Sequence, residues 1–160
     1  MKKIIVFILM TLIISLTFTA SAQDRQADNM KFVVEKIRAD KKAFIAEIMQ
    51  LTKAEAKTFW PIYKRYQDEL FLLRVRTKKM INDYARVYKK KMTNDIARSL
   101  LDEYMTIERL GFKLRLNYLS EFRESLPDVK AMRYYQLENK IDAAHSYELA
   151  KKIPIIKYGN

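Results

Sequence analysis

Residues 51 to 70 read LTKAEAKTFWPIYKRYQDEL, and they decide the fold. Thr52 followed by Glu55 has the spacing of a capping box. In that motif the N-cap hydroxyl accepts from the amide three residues on, and the acid reaches back to the N-cap amide. Behind this start Ala56, Phe59, Trp60, Tyr63, Tyr66 and Leu70 recur at steps of three and four. That spacing places them on one face of a helix, and large aromatics at such spacing belong to a helix–helix core. Phe59, Trp60 and Tyr63 are assigned to that core. Pro61 lies too deep for the first turn; it removes the hydrogen bond to the Lys57 carbonyl and predicts a kink.

The rest of the chain offers little but helix. Two glycines and three prolines in 160 residues leave few turn-formers, while 49% apolar residues are ample for a core. Met30, Val33, Val34, Ile37, Phe44, Ile45, Ile48 and Met49 predict a first amphipathic helix over 29–50. The second runs from Lys53 to about Lys90, its stripe continued by Leu70, Leu73, Thr77, Ile81, Tyr84 and Tyr88 at near-heptad spacing. Thr93 caps a third helix reaching about Ser125, with Ala97, Leu100, Leu101, Tyr104, Ile107, Leu114, Tyr118 and Phe122 facing inward. Pro127 occupies a first helical position, and a fourth helix carries Val129, Tyr134, Tyr135, Leu137, Glu138 and Ile141. Leu51-Thr52, Ala56 and Tyr63 reappear 41 residues later as Met92-Thr93, Ala97 and Tyr104, so two helix starts share one design. The expectation is an all-α domain of four helices in long bent hairpins, with irregular ends at 23–28 and 153–160.

Residues 1–22 have the layout of a signal peptide. Lys2 and Lys3 precede an apolar run from Ile4 to Phe18, and Ala20-Ser21-Ala22 is a small-residue cleavage signal. A retained membrane anchor is the competing reading, because Ile4 to Ala22 is 19 uncharged residues. Cleavage gives a single domain over 23–160 in the periplasm. The chain has no cysteine, so packing or oligomerisation must hold it together without disulfides. Beyond Lys2 and Lys3 there are 29 basic and 19 acidic residues, a net charge of +10. Export excludes nucleic acid as the partner of that charge, leaving anionic lipid surfaces and acidic or unfolded polypeptide.

Catalysis finds no support. His145 is the one histidine; without cysteine, thiol catalysis and thiolate metal sites are ruled out, and a lone imidazole is far more often a surface or packed side chain than a metal ligand. No glycine-rich phosphate loop can be built from Gly111 and Gly159 alone. An enzyme is not expected, nor a metal, nor a cofactor. Glu138 shares a face with Tyr134, Tyr135 and Ile141, and Lys130 lies two turns earlier; a carboxylate there needs a hydrogen-bond or ionic partner. The part that core packing does not explain is the stretch after Leu70. Eight basic residues and one acid, Asp83, lie between Arg74 and Lys91. Phe71, Leu72 and Val75 fall opposite the core stripe, among Lys78, Lys79 and Arg86. A second apolar patch rimmed by cations is either a dimer contact or a client-binding surface.

Leu51-Thr52-x-x-Glu55-Ala56, followed by Phe59-Trp60-Pro61 and Tyr63, resembles the LTxxQ-type motif of the Spy/CpxP family of periplasmic proteins. The similarity is greatest to the branch described as sensors of extracytoplasmic-function sigma factors. It extends to Leu126-Pro127, Lys130 and Tyr134-Tyr135-Gln136-x-Glu138-Asn139. Glu55-Ala56 departs from the Glu-Gln pair frequent in the family. The resemblance implies a cradle-like antiparallel homodimer with a basic concave face and exposed apolar patches. It also implies two LT motifs at two helix starts and no catalytic role for Lys130 and Glu138.

Together these readings predict an ATP-independent, chaperone-like protein that captures unfolded or partly folded polypeptides during envelope stress. Phe71, Leu72, Val75, Lys78, Lys79 and Arg86 would form its client surface. One alternative is a regulatory module that binds an envelope-stress sensor or anti-sigma partner. Another is a membrane-attached protein whose basic helix lies on anionic lipid.

Overall fold

A computed structural model describes residues 36, 38–90 and 92–156. The predicted signal peptide, the start of the first helix at 29–35 and the last four residues lie outside the described residues. Among the described residues the fold is all-α, with four helices and no strand. They are α1 (38–49), α2 (Lys53–Tyr88), α3 (Asn94–Ser125) and α4 (Asp128–Ala150). None of the described helices is long and apolar enough to cross a membrane.

The chain divides into two units between Ile48 and Met49. In the first, the described residues form most of α1, with Phe44 exposed. The second unit holds α2, α3 and α4. Its α1 remnant stops at Gln50, whose φ of 46° is left-handed. That conformation ends a helix and is usually given to glycine, because a side chain there is crowded.

Both threonine caps form as the sequence predicts. The Thr52 hydroxyl accepts from the Glu55 amide (3.3 Å), and the Thr52 amide donates to Glu55 Oε2 (2.7 Å). Thr93 accepts from the Ile96 amide at 3.3 Å but has no returning acid. Pro127 is the N-cap of α4 and makes no side-chain cap; the preceding Leu126 is extended, as a residue before proline prefers. α2 runs through Pro61 without interruption, and Pro61 is solvent-exposed. At 1.5 Å per residue α2 is about 54 Å long and α3 about 48 Å.

α2 and α3 form an antiparallel hairpin, reversing between Tyr88 and Asn94. Arg65 pairs with Glu121, Tyr118 with Glu69, and Arg76 with Glu103 along its length. α4 folds back parallel to α2, as its successive ties show. Lys130 meets Glu55, Gln67 meets Glu138, Arg74 meets Asp142, and Tyr84 Oη donates to the Pro154 carbonyl at 2.6 Å.

The core sits at the open end of the hairpin, where all three helices meet. Phe59, Tyr63 and Tyr66 of α2, Leu114, Tyr118 and Phe122 of α3, and Ala131, Tyr134 and Leu137 of α4 are buried there. Phe122 and Tyr134 are centred 4.5 Å apart, and Phe59 meets Tyr134 edge-on at 5.1 Å. Trp60 is half-buried at the rim, its ring edge-on to Phe59 and Tyr63. Towards the turn the stripe of Leu70, Leu73, Thr77, Ile81, Tyr84 and Tyr88 is only half-buried.

Three expected core positions turn outward. Leu101 and Tyr104 of α3 are exposed, as is Val129 of α4 at 82%. Leu101 lies about 100° round α3 from Tyr118, beyond the reach of α2. Val129, in the first turn of α4, faces away from Tyr134 for the same reason.

Loss of a helix N-cap costs about 1 kcal/mol. Thr52→Ala is therefore expected to lower stability to urea by about that amount, and Thr93→Ala by less, because only Thr52 belongs to a reciprocal box. Equal or reversed losses in equilibrium unfolding would separate the caps from this geometry.

Candidate functional site

The motif residues are brought together at the base of the hairpin, and Glu55 links them. Its carboxylate closes the capping box and also receives Lys130 Nζ at 2.6 Å. The Lys130 hydrogen bond, with help from the Thr52 amide, holds the Glu55 carboxyl below its ordinary 4.5. Lys130 thus ties the start of α4 to Glu55 at the start of α2. Leu51 is half-buried next to this junction.

Glu138 is buried, with 3% of its surface exposed. Gln67 Nε2 donates to its Oε1 at 3.2 Å. Gln67 escaped the sequence reading because a glutamine among charged and polar residues on an amphipathic helix carries no signal of burial. Beside this pair the Tyr134 hydroxyl is buried and makes no hydrogen bond of good geometry, although the Gln67 side chain is close enough to favour its anion slightly. Among the described residues no three His, Cys, Asp or Glu side chains group as a metal site requires. His145 lies exposed on α4.

Burial also governs the tyrosines. Desolvation drives the Tyr134 hydroxyl well above 10, and the nearby Glu138 charge adds to it. Tyr66 is raised the same way, by burial first and then by Glu138 and Asp142. Tyr118 is raised to about 12 by burial and by its 2.5 Å donation to Glu69. Tyr135, whose hydroxyl donates to the Arg115 carbonyl, is raised to about 12 by burial.

The residues expected to bind clients lie on the back of α2, away from the core. Leu72 is 66% exposed and Val75 50%. Phe71 is half-buried and engaged in the fold, so it stands apart from the other two. Lys78, Lys79 and Arg86 are all exposed. Asp83 binds two of them: Lys79 Nζ reaches it at 2.8 Å, and Arg86 also pairs with it. These contacts, that of Lys79 foremost, hold the Asp83 carboxyl below its ordinary value, so it remains an anion at neutral pH. The apolar patch is thus smaller than the sequence suggested, and its cationic rim is partly neutralised.

Near the turn an open groove of about 720 Å³ separates α2 from α3, lined by Arg76, Lys79, Met80, Asp95, Arg98 and Glu103. Its walls carry both signs of charge, and the Arg76–Glu103 fork (2.5 and 2.7 Å) closes part of it.

No protein-family profile, characterised protein or solved structure matches this chain.

Two outcomes follow from the buried hydroxyls. A buried polar group without a partner costs about 1–3 kcal/mol. Tyr134→Phe is therefore expected to leave stability unchanged or raise it, whereas Tyr118→Phe is expected to lower it by about 0.5–1.5 kcal/mol by deleting the bond to Glu69. A marked loss in Tyr134→Phe on urea unfolding would reveal a partner for that hydroxyl.

The second outcome is alkaline. Each of these tyrosines ionises more readily in the unfolded chain, so proton loss favours unfolding. The stabilisation is complete below about pH 10 and is lost as pH rises through the folded values, about 12 for Tyr118 and Tyr135. Absorbance titration at 295 nm should show Tyr66 and Tyr134 ionising only together with the loss of helical circular dichroism. Smooth titration of all ten tyrosines near pH 10 in the folded protein would contradict their burial.

Proposed function

We propose that this protein is a non-enzymatic envelope protein that captures unfolded or partly folded polypeptides without ATP, as the Spy/CpxP resemblance suggests. The observation that carries the reading is the back of α2. Two aliphatic side chains stand in solvent where the fold has no use for them, with Lys78 and Lys79 one and two turns away. Cations draw in acidic or disordered chains and raise the encounter rate; the apolar pair then supplies short-range contact. Fully burying two aliphatic residues is worth about 3–6 kcal/mol, before the cost of ordering the client. That places a single contact between several millimolar and, at its tightest, about 40 μM. Such a contact releases its client unaided, which suits a compartment without ATP.

Asp83 gives the mechanism a control. It withholds Lys79 and Arg86 from the client, and Lys78 makes no ion pair among the described residues.

The test is suppression of aggregation of unrelated denatured proteins, with capture rates by stopped flow. Leu72→Ser with Val75→Ser is expected to abolish suppression while leaving the melting temperature within a few degrees, since surface changes usually stay within about 0.5 kcal/mol. Lys78→Gln should slow capture, and Asp83→Asn should hasten it at low salt, with both differences fading as salt screens the charges. Undiminished suppression by the double serine variant would overturn the reading. Retention of one specific partner with no general suppression would favour a regulatory module.

A further inference from the structure

α4 presents a cationic face that no other described helix covers. Arg133, Lys140 and Lys151 lie on it, with Val129 and Met132 at one end and Tyr147 near the other, and all are exposed. At a helical 100° per residue these six fall on an arc of about 100°. The buried residues Ala131, Tyr134, Leu137 and Glu138 are centred about 140° further round. The face runs about 33 Å from Val129 to Lys151. The other residues on its arc, Gln136, Ala143 and Ala150, are neutral, exposed and no longer than the cations.

The acids of α4 are all elsewhere. Asp128 pairs with Arg123, Asp142 receives Arg74 at 2.8 Å, and Glu138 is buried. Glu148 lies on the flank, 3.4 Å from Lys151. None of them is within about 90° of the centre of the face. Arg133 and Lys140 make no ion pair among the described residues, and Lys151 leans over the Tyr147 ring at 5.3 Å. Tyr147 is 64% exposed, and Ile155, just past the end of α4, is 89% exposed.

A row of cations on an acid-free face is complementary to an anionic partner. The shape of the face selects which one. A polypeptide gains affinity from a cleft or a strand edge, and the open groove of the hairpin lies between α2 and α3 instead. A straight, convex helix face can lie flat on a charged plane, its cations against lipid phosphate. Val129, Met132 and Tyr147 then sit at headgroup depth, where aromatic and short apolar groups settle.

We propose that the outer face of α4 binds the surface of a bilayer containing anionic phospholipid, through Arg133, Lys140 and Lys151. The contact is peripheral and needs no spanning segment. It uses a different helix from Leu72, Val75, Lys78 and Lys79, so it stands or falls independently of client capture.

The test is partitioning of the full chain, purified as the cell processes it, onto sedimented vesicles. One set is phosphatidylcholine alone, the other an equal mixture of phosphatidylcholine and phosphatidylglycerol. Wild type is expected on the anionic set and not on the neutral one, and molar salt should release it. Each cation at such a surface is worth a factor of about five, so Arg133→Gln with Lys140→Gln should weaken partitioning roughly 30-fold. Lys78→Gln with Lys79→Gln removes the same charge from α2 and should change it by less than about threefold, because screening mutes charges held away from the surface. The chain has no cysteine, so Ala143→Cys can carry a single environment-sensitive dye. Its emission should shift to the blue on anionic vesicles, while a dye at Lys64→Cys on α2 should not respond.

Equal binding to neutral and anionic vesicles would overturn the proposal, because an apolar segment and not α4 would then hold the membrane. Equal weakening by the two double variants would also overturn it, by showing attraction to net charge without a defined face. So would a dye at position 143 that responds to soluble polyglutamate and not to vesicles; the partner would then be an acidic polypeptide. Client capture is read separately: the protein with Leu72→Ser and Val75→Ser should bind anionic vesicles as wild type does, whether or not it suppresses aggregation.

Discussion

The contact between Phe122 and Tyr134 is the one on which the rest of this structure depends. An α-helical hairpin has a single interface, and two long helices alone bury too little to hold 36 and 32 residues in register. α4 supplies the third wall, and Tyr134 is the side chain that carries it into the hairpin. Its ring meets Phe59, Tyr63, Tyr66 and Phe122 at once. Aromatic pairs of this kind contribute about 0.5–1.5 kcal/mol each beyond the area they bury. With no disulfide available, the concentration of rings at one end replaces a covalent staple. The unpartnered Tyr134 hydroxyl is a cost accepted at the same point.

Glu55 ties this core to the helix start. A capping box normally satisfies two amides and ends there. Here the same carboxylate also binds Lys130, so the beginning of α2 and the beginning of α4 are fixed to each other. The departure from the family-like pattern at Glu55-Ala56 does not touch this role, because the function rests on Glu55 itself. The bond is charge-assisted yet partly open to water, and its value to the fold lies in alignment more than in strength.

Much of this was legible in the sequence because it is local. Caps need only a threonine at the right distance from its amides, and the ends of α2 and α3 fell within two residues of expectation. The aromatic face of 51–70 was legible because a helix repeats every 3.6 residues whatever it packs against. What depended on the number and position of neighbours was not. On α3 the apolar residues spread over more than half the circumference, and nothing in their spacing says where α2 stops covering them. Leu101 and Tyr104 were therefore read as core. The same ignorance left the partners of Lys130 and Glu138 unnamed: both came from α2, Glu55 for Lys130 and the neutral Gln67 for Glu138, where a tyrosine hydroxyl or a basic side chain was expected. Asp83 was noted as the lone acid in a basic stretch, but its capture of both Lys79 and Arg86 depended on rotamers that a sequence does not display.

The outward position of Leu72 and Val75 bears on how such a thin core is tolerated. Near the turn, α2 and α3 bury almost nothing completely, and their stripe residues remain half in water. Regions with few buried contacts open at low free energy. Leu72 and Val75, on the back of α2, lie towards this less-buried part of the hairpin. A helix pair held firmly at one end can bend or part at the other without disturbing Phe122 and Tyr134. The base and the arm thus differ in how their aromatics are used: those between Phe59 and Tyr66 and between Tyr118 and Tyr135 are mostly buried, whereas Tyr84 and Tyr88 near the turn stay half in water.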